Sequence, residues 1–459
     1  MPPIELPRLM LAAPASGSGK TSVAIGLLQA LLNRGIRPAA FKCGPDYIDP
    51  MFHRRILGVE GRNLDLFFTG PDIVRGLLAD GFAGADIAVL EGVMGYYDGV
   101  GASDAASSWR VAEATDTPTV LIVRPKGTFL SLAAVVNGFR AFRDDSMIRG
   151  VIVNRCPESF YDKIRPVLER ETGLPVYGHL PDMPSAHLES RHLGLVTPEK
   201  IGTLEEKIAE LAAAMERSVD IDGLVALAKT APALDARLPD LGPPIDPRPR
   251  IAVARDEAFC FYYRENMRML ETLGAELVPF SPLNDQALPD DIDALYFGGG
   301  YPELYAEALA RQTSMRASIR DAVAGGTPTL AECGGFLYLQ EELEDGDGRA
   351  HEMVGVLPGR GFNTRKLGRF GYVVVQAKKD SLLADAGGTI KAHEFHYWDS
   401  SCCGDDCVAE KADGSKSWEC VHAGNSVFAG FPHLYFWSNP DFARRFVVAA
   451  ASRRRGRMS

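Results

Sequence analysis

Arg8-Leu9-Met10-Leu11-Ala12-Ala13-Pro14-Ala15-Ser16-Gly17-Ser18-Gly19-Lys20-Thr21, followed by an apolar-periodic stretch ending near Gly35, reads as strand, loop and helix in that order. The small residues between Ala15 and Gly19, Gly17 and Gly19 among them, let backbone N–H groups point at phosphate oxygens. A helix N-terminus favours the anion, Lys20 is placed to reach terminal phosphates, and Thr21 can ligate Mg²⁺. Pro14 stands where the pattern G-x-x-x-x-G-K-[ST] has its first glycine, so the loop is a variant.

Strand-like apolar runs recur outward from that loop at residues 8–13, 37–42, 86–90, 119–123 and 150–153, with helical stretches between them. The alternation predicts a mostly parallel sheet covered by helices, with ligands at the carboxyl ends of the strands. Two of these ends carry acids. Lys42-Cys43-Gly44-Pro45-Asp46-Tyr47-Ile48-Asp49-Pro50 follows one strand, and Glu91-Gly92-Val93-Met94-Gly95-Tyr96-Tyr97-Asp98-Gly99 follows another. Hard oxygen ligands at those positions suit Mg²⁺ carried by a nucleotide. Taken singly, each acid also reads as an ordinary turn residue.

Residues 197–218 are rich in Ala, Glu and Leu and read as helix, and residues 238–250 hold five prolines, which is linker chemistry. A second strand-helix series follows, at 251–254, 276–280, 294–297 and 327–331. It leads into Glu332-Cys333-Gly334-Gly335 and the helix-like 336–342. A thiol on a sharp strand-to-helix turn needs small neighbours, and the helix N-terminus is expected to lower its pKa, making Cys333 a nucleophile. Phe297-Gly298-Gly299-Gly300-Tyr301-Pro302 offers backbone N–H groups for an oxyanion hole. The base is expected to be a histidine distant in sequence: His433, with His393 and His396 as competitors.

The balance of 49 Lys+Arg against 60 Asp+Glu, net −11, argues against nucleic-acid binding, which rests on phosphate neutralisation. An anionic substrate therefore needs a local basic site. The basic run Arg453–Arg457 reads as a solvated tail. No apolar run is long enough to span a bilayer, no secretion signal opens the chain, and the eight cysteines read as reduced thiols of a cytoplasmic protein. Cys402, Cys403, Cys407, Cys420 and His422 lack the paired C-x-x-C spacing of a metal site and read as an irregular surface insertion.

On residues 12–22, 41–50, 91–99, 191–196, 296–303, 331–336, 367–372 and 393–397, the chain resembles the cobyrinate a,c-diamide synthase family almost end to end, including its hydrogenobyrinate and nickel-sirohydrochlorin counterparts. The resemblance implies an α/β protein with an N-terminal P-loop, dethiobiotin-synthetase-like domain at 1–196, a helix and Pro-rich linker at 197–249, and a class I glutamine amidotransferase domain at 250–447, ahead of a basic tail at 448–459. It implies ATP, Mg²⁺, L-glutamine and a tetrapyrrole such as cobyrinate as ligands. A substrate carboxylate would be phosphorylated and the acyl phosphate attacked by ammonia passed between the domains. Lys20, Thr21, Lys42, Asp46, Asp49, Glu91 and Asp98 match positions linked to phosphate, metal and carboxylate activation, with Thr21, Asp46 and Glu91 as metal ligands. Cys333 matches the thioester-forming nucleophile and His433 its base. Two departures stand out. Tyr435 occupies the place, two residues beyond the histidine, where ordinary class I domains have Glu, and Arg124-Pro125-Lys126 follows the fourth strand where Asp is expected. The competing readings are a cobyric-acid-type synthase, which would carry a Gln/Asn-containing pattern at 42–50, and a non-catalytic P-loop partner ATPase, which would have no use for Cys333.

Overall fold

The protein, described here from a computed structural model covering residues 3–184, 186 and 198–458, divides into two compact units, Met1–Pro239 and Asp240–Ser459. The 191–196 stretch of the resemblance lies outside the described residues. In the first unit seven parallel strands form one sheet: β1 (Arg8–Ala12), β2 (Pro38–Cys43), β3 (Gly61–Leu64), β4 (Ile87–Glu91), β5 (Thr119–Val123), β6 (Ile148–Asn154) and β7 (Val176–Leu180). Their order is β3-β2-β4-β1-β5-β6-β7. The two strands that the apolar runs did not reveal, β3 and β7, are the edges. Gly61-Arg62-Asn63-Leu64 carries two polar residues and Val176–Leu180 contains Gly178 and His179, so neither presents a continuous apolar run.

Helix α1 (Lys20–Asn33) packs its apolar face on this sheet and against the helix Pro198–Ser218. A Cβ on Gly26 would lie 2.9 Å from Met215 Cγ, so glycine lets the two helices close up. The helix grouped with the linker by its sequence is thus part of the first unit's core.

The second unit is built on β8 (Arg250–Ala254), β9 (Phe259–Phe261), β10 (Glu276–Phe280), β11 (Ala294–Phe297), β12 (Gly299–Gly300) and β13 (Thr329–Glu332). Its main sheet runs β10-β8-β11-β13, then the parallel strand Val427–Gly430 and the antiparallel His422–Ala423. A five-stranded antiparallel sheet takes in Phe370–Ala377, Thr389–Phe395, Cys407–Lys411, Ser417–Cys420 and His433–Leu434. The stretch read as an irregular insertion is therefore partly an ordered hairpin, with Cys407 opposite Cys420 and both buried. Among the described residues no group of three or more His, Cys, Asp or Glu is arranged to hold a metal ion on its own.

The basic run at the C-terminus is not a solvated tail. It is the end of the helix Pro440–Met458, and Arg454 and Arg457 pair with the fully buried Asp293, at 3.3 and 2.5 Å. Its cations neutralise an acid that would otherwise be buried at high cost. Among the described residues no helix is long and apolar enough to cross a membrane.

Candidate functional site

The order β2-β4-β1 brings the carboxyl ends of three strands together, so Lys42, Glu91 and the 13–19 loop become neighbours though far apart in sequence. Gly17 and Gly19 take φ of 76° and 91°, the left-handed region that favours glycine. A Cβ on Gly19 would stand 2.1 Å from Asn154 Nδ2, and that amide donates to Ser18 O at 2.8 Å. Asn154, at the end of β6, thus buttresses the loop. Sequence reading missed it, and the only signal was a polar residue closing an apolar strand.

Lys20 folds over the loop, its Nζ donating to Met94 O at 2.5 Å and Ala15 O at 3.3 Å. Burial, with Lys42 nearby, lowers its pKa to about 8. Thr21 Oγ1 donates to Glu91 Oε1 at 2.7 Å, and Lys42 Nζ donates to the same oxygen at 2.7 Å and to Asp49 Oδ2. Burial raises the Glu91 carboxyl, and it raises Asp46, with Asp49 adding to it, to about 7. At Asp49 the effect of burial is outweighed by Lys42, which holds that carboxyl below its ordinary range. Asp46 accepts from Ile48 N at 2.8 Å, and Asp98 accepts from Gly95 N at 3.0 Å. The first unit therefore gathers the phosphate and metal candidates of the sequence at the adjoining ends of three strands, with Lys42 as a buried counter-charge between Asp49 and Glu91.

In the second unit Cys333 sits between β13 and the helix Gly334–Leu339 at φ 49°, ψ −105°, a strained elbow for a non-glycine residue. Its N–H donates to Gly430 O at 2.8 Å, fixing it to the neighbouring strand. Glycine is needed at the two positions that follow the thiol. Cβ atoms on Gly334 and Gly335 would lie 2.8 Å from Pro302 Cδ and 2.5 Å from Phe297 O.

The chain leaves the main sheet at Gly430 and enters the antiparallel one at His433, which carries the imidazole to this elbow. His433 lies against Gly299, where a Cβ would be 2.3 Å from its Cε1. The competing histidines lie close by, His393 opposite His433 in the sheet, and make other contacts. The ring of His396 stacks on Phe431 at 3.9 Å and bonds Trp398 O and Glu394, while His393 packs on Phe370 and Tyr372.

Two expectations need correction. The thiol is not made acidic by the helix N-terminus. Burial pushes it well above its ordinary value, with the carboxylates of Glu303, Glu394 and Glu332 acting in the same direction. Burial also lowers His433 to about 3, with His393 and His396 acting in the same direction. Nor are all N–H groups of the glycine turn open to an oxyanion: Gly298 N–H donates to Tyr262 Oη at 2.9 Å, and β12 pairs with β9. Glu332 is the second residue that sequence reading did not single out. Its Oε1 accepts from Leu434 N at 3.0 Å, and its Oε2 accepts from Tyr296 Oη at 3.0 Å and lies 4.0 Å from His433 Nδ1.

A phosphate loop backed by acids can hold the phosphates of a nucleotide, and a thiol on such an elbow can open an amide with a histidine as base. Comparison with known proteins agrees with this division. Residues 9–196 match the CobQ/CobB/MinD/ParA nucleotide binding domain, and residues 250–441 match the CobB/CobQ-like glutamine amidotransferase domain. A cobyrinate a,c-diamide synthase of Listeria monocytogenes serotype 4b is 40% identical over 94% of this chain and 97% of its own. The enzymes of that name from Thermoplasma volcanium and Salmonella typhimurium are 38% and 39% identical, over 97% and 96% of this chain and 97% of each of theirs. The chain belongs to the cobyrinate a,c-diamide synthase family.

Proposed function

We propose that this protein amidates the a and c carboxylates of cobyrinate, or of a closely related tetrapyrrole, using ATP and L-glutamine and passing through acyl phosphates. What carries the reading is that the family similarity spans 94% of the chain and so takes in both the phosphate loop and the thiol elbow. In the second unit the Cys333 thiol gives its proton to His433 and attacks the glutamine amide carbon. The C–N bond breaks, ammonia leaves with the proton from His433, and water hydrolyses the thioester to glutamate. In the first unit a substrate carboxylate oxygen attacks the γ-phosphorus of ATP and ADP leaves. Ammonia then attacks the acyl carbon, phosphate departs, and the amide remains.

Gly17, Gly19 and Lys20 would hold the phosphates, with Lys20 exchanging two carbonyl oxygens for the γ-phosphate. Lys42, Asp49 and Asp98 would shape the anion's surroundings. The residues suit Mg²⁺: Glu91 Oε2 is buried with no hydrogen-bond partner, and Thr21 stands beside Oε1. Thr21, Glu91 and Asp46 would hold the ion, which when bound neutralises charge on the transferring phosphoryl group. A cytoplasmic setting, where thiols stay reduced, fits the free cysteines.

The test is to incubate the purified protein with ATP, Mg²⁺, glutamine and each candidate macrocycle, and to count amidations by mass spectrometry. Cobyrinate should gain two amides at the a and c positions. Amidation of other side chains would favour the cobyric-acid-type reading, and no amidation of any macrocycle would sink the proposal.

A further inference from the structure

The family's glutaminase logic leaves one role unfilled, because Tyr435 cannot orient an imidazole as a carboxylate does. Its ring is fully buried and packs edge-on against Tyr263 at 5.0 Å, as a core aromatic. We propose that Glu332, the residue immediately before the nucleophile, positions His433 and stabilises its imidazolium. This rests on the glutaminase reading above.

Four observations converge. Glu332 Oε1 accepts from the N–H of Leu434, the residue next to His433, at 3.0 Å, so the carboxylate holds the backbone that carries the ring. Asn266 grips the same segment, donating to Leu434 O at 2.7 Å and accepting from Phe436 N at 2.9 Å. Glu332 Oε2 is kept in place by Tyr296 Oη and lies 4.0 Å from His433 Nδ1, while Gly299 backs the imidazole ring. Both side chains are almost fully buried, at 4% and 2% exposure, so water cannot replace the contact.

The chemistry needs this group at one moment. When the Cys333 proton moves from sulfur to His433 Nε2, the ring becomes a buried cation with a hydrogen on each nitrogen, and Nδ1–H then faces Glu332 Oε2. A carboxylate there favours the charged ring and turns Nε2 toward the leaving amide nitrogen, to which the proton is then passed. The 4.0 Å gap is too long for a hydrogen bond, so the ring must move toward Oε2 as it charges. The titratable groups facing Glu332 are Tyr296 and Tyr262, Cys333 beside it, and His433. Burial pushes the Glu332 carboxyl up to about 8, so its ionised fraction grows through neutral pH.

The experiment measures glutamate release from glutamine, without any macrocycle, for wild type, Glu332→Gln, Glu332→Asp and Cys333→Ala, each with a melting curve. For Glu332→Gln, kcat should fall on the order of a hundredfold with KM little changed, as for loss of a general-base partner. The wild-type kcat should rise as pH approaches 8 and that limb should vanish in Glu332→Gln, with Glu332→Asp recovering part of the rate. A folded Glu332→Gln enzyme with wild-type kcat, or an unchanged pH limb, overturns the positioning role while leaving Cys333 as nucleophile. Glutaminase activity surviving in Cys333→Ala would instead overturn the underlying reading.

Discussion

Adding one methyl group at Gly299 should disable glutamine use without replacing any side chain that performs chemistry. A Cβ there would sit 2.3 Å from His433 Cε1 and 3.2 Å from Nε2, whereas ordinary contact begins near 3.4 Å. The backbone can accept alanine, since Gly299 is not among the residues with positive φ, so the ring has to give way by about 1 Å. The backbone cannot follow freely, because Glu332 and Asn266 hold Leu434 at its N–H and its carbonyl. Misplacement of a catalytic group by about 1 Å costs on the order of a hundredfold in rate, or about 3 kcal/mol of barrier. The assay is kcat/KM for glutamine hydrolysis beside ammonia-driven amidation and thermal melting. Gly299→Ala should lose about a hundredfold with glutamine and keep most of its ammonia-driven rate. Wild-type glutamine turnover in a folded Gly299→Ala protein would refute the placement of His433 against this loop.

Cys333→Ala should abolish glutamine-driven amidation and spare the ammonia-driven reaction, while Lys20→Ala should remove both; steady-state rates with each nitrogen donor separate the two patterns. Glu91→Gln and Asp46→Asn keep shape while removing charge, and each should slow ammonia-driven amidation about a hundredfold with a shifted Mg²⁺ dependence. Turn-forming acids would instead change the rate hardly at all and stability by about 0.5 kcal/mol. Because burial holds the Cys333 thiol protonated, its alkylation by iodoacetamide in the absence of glutamine should be slower at neutral pH than that of the half-buried Cys402 and should climb only as pH passes the ordinary thiol range, which is about 8.5. Peptide mass spectrometry over a pH series reads this directly, and rapid neutral-pH labelling of Cys333 would contradict it.

The phosphate loop, its acids and the thiol elbow were legible because each places small or charged residues just after an apolar strand, a local pattern. What stayed hidden depends on contacts between distant segments. Asn154 and Glu332 look like ordinary strand-end residues until β6 is laid beside the loop and Leu434 beside β13. The direction of the thiol's pKa could not be read either. The local helix terminus argues for acidity, but burial and the three neighbouring carboxylates, brought in by the fold, argue more strongly against it. The edge strands were missed because they lack continuous apolar runs, and the 407–420 hairpin because its turn residues dominate a short alternation. The arginines at the C-terminus looked solvated because their partner, Asp293, lies more than a hundred residues earlier.

The positive φ at Cys333 has a consequence for how this protein tolerates change. A cysteine at φ 49°, ψ −105° holds a backbone shape that glycine adopts at little cost, and such strain is worth on the order of 1–3 kcal/mol. Nucleophile and stability are therefore set against each other at one residue, and selection for a hardier fold alone would replace the thiol with glycine. A lineage that no longer needed glutamine, living on free ammonia, would be expected to lose its glutaminase first at this position and to gain thermal robustness as it did so.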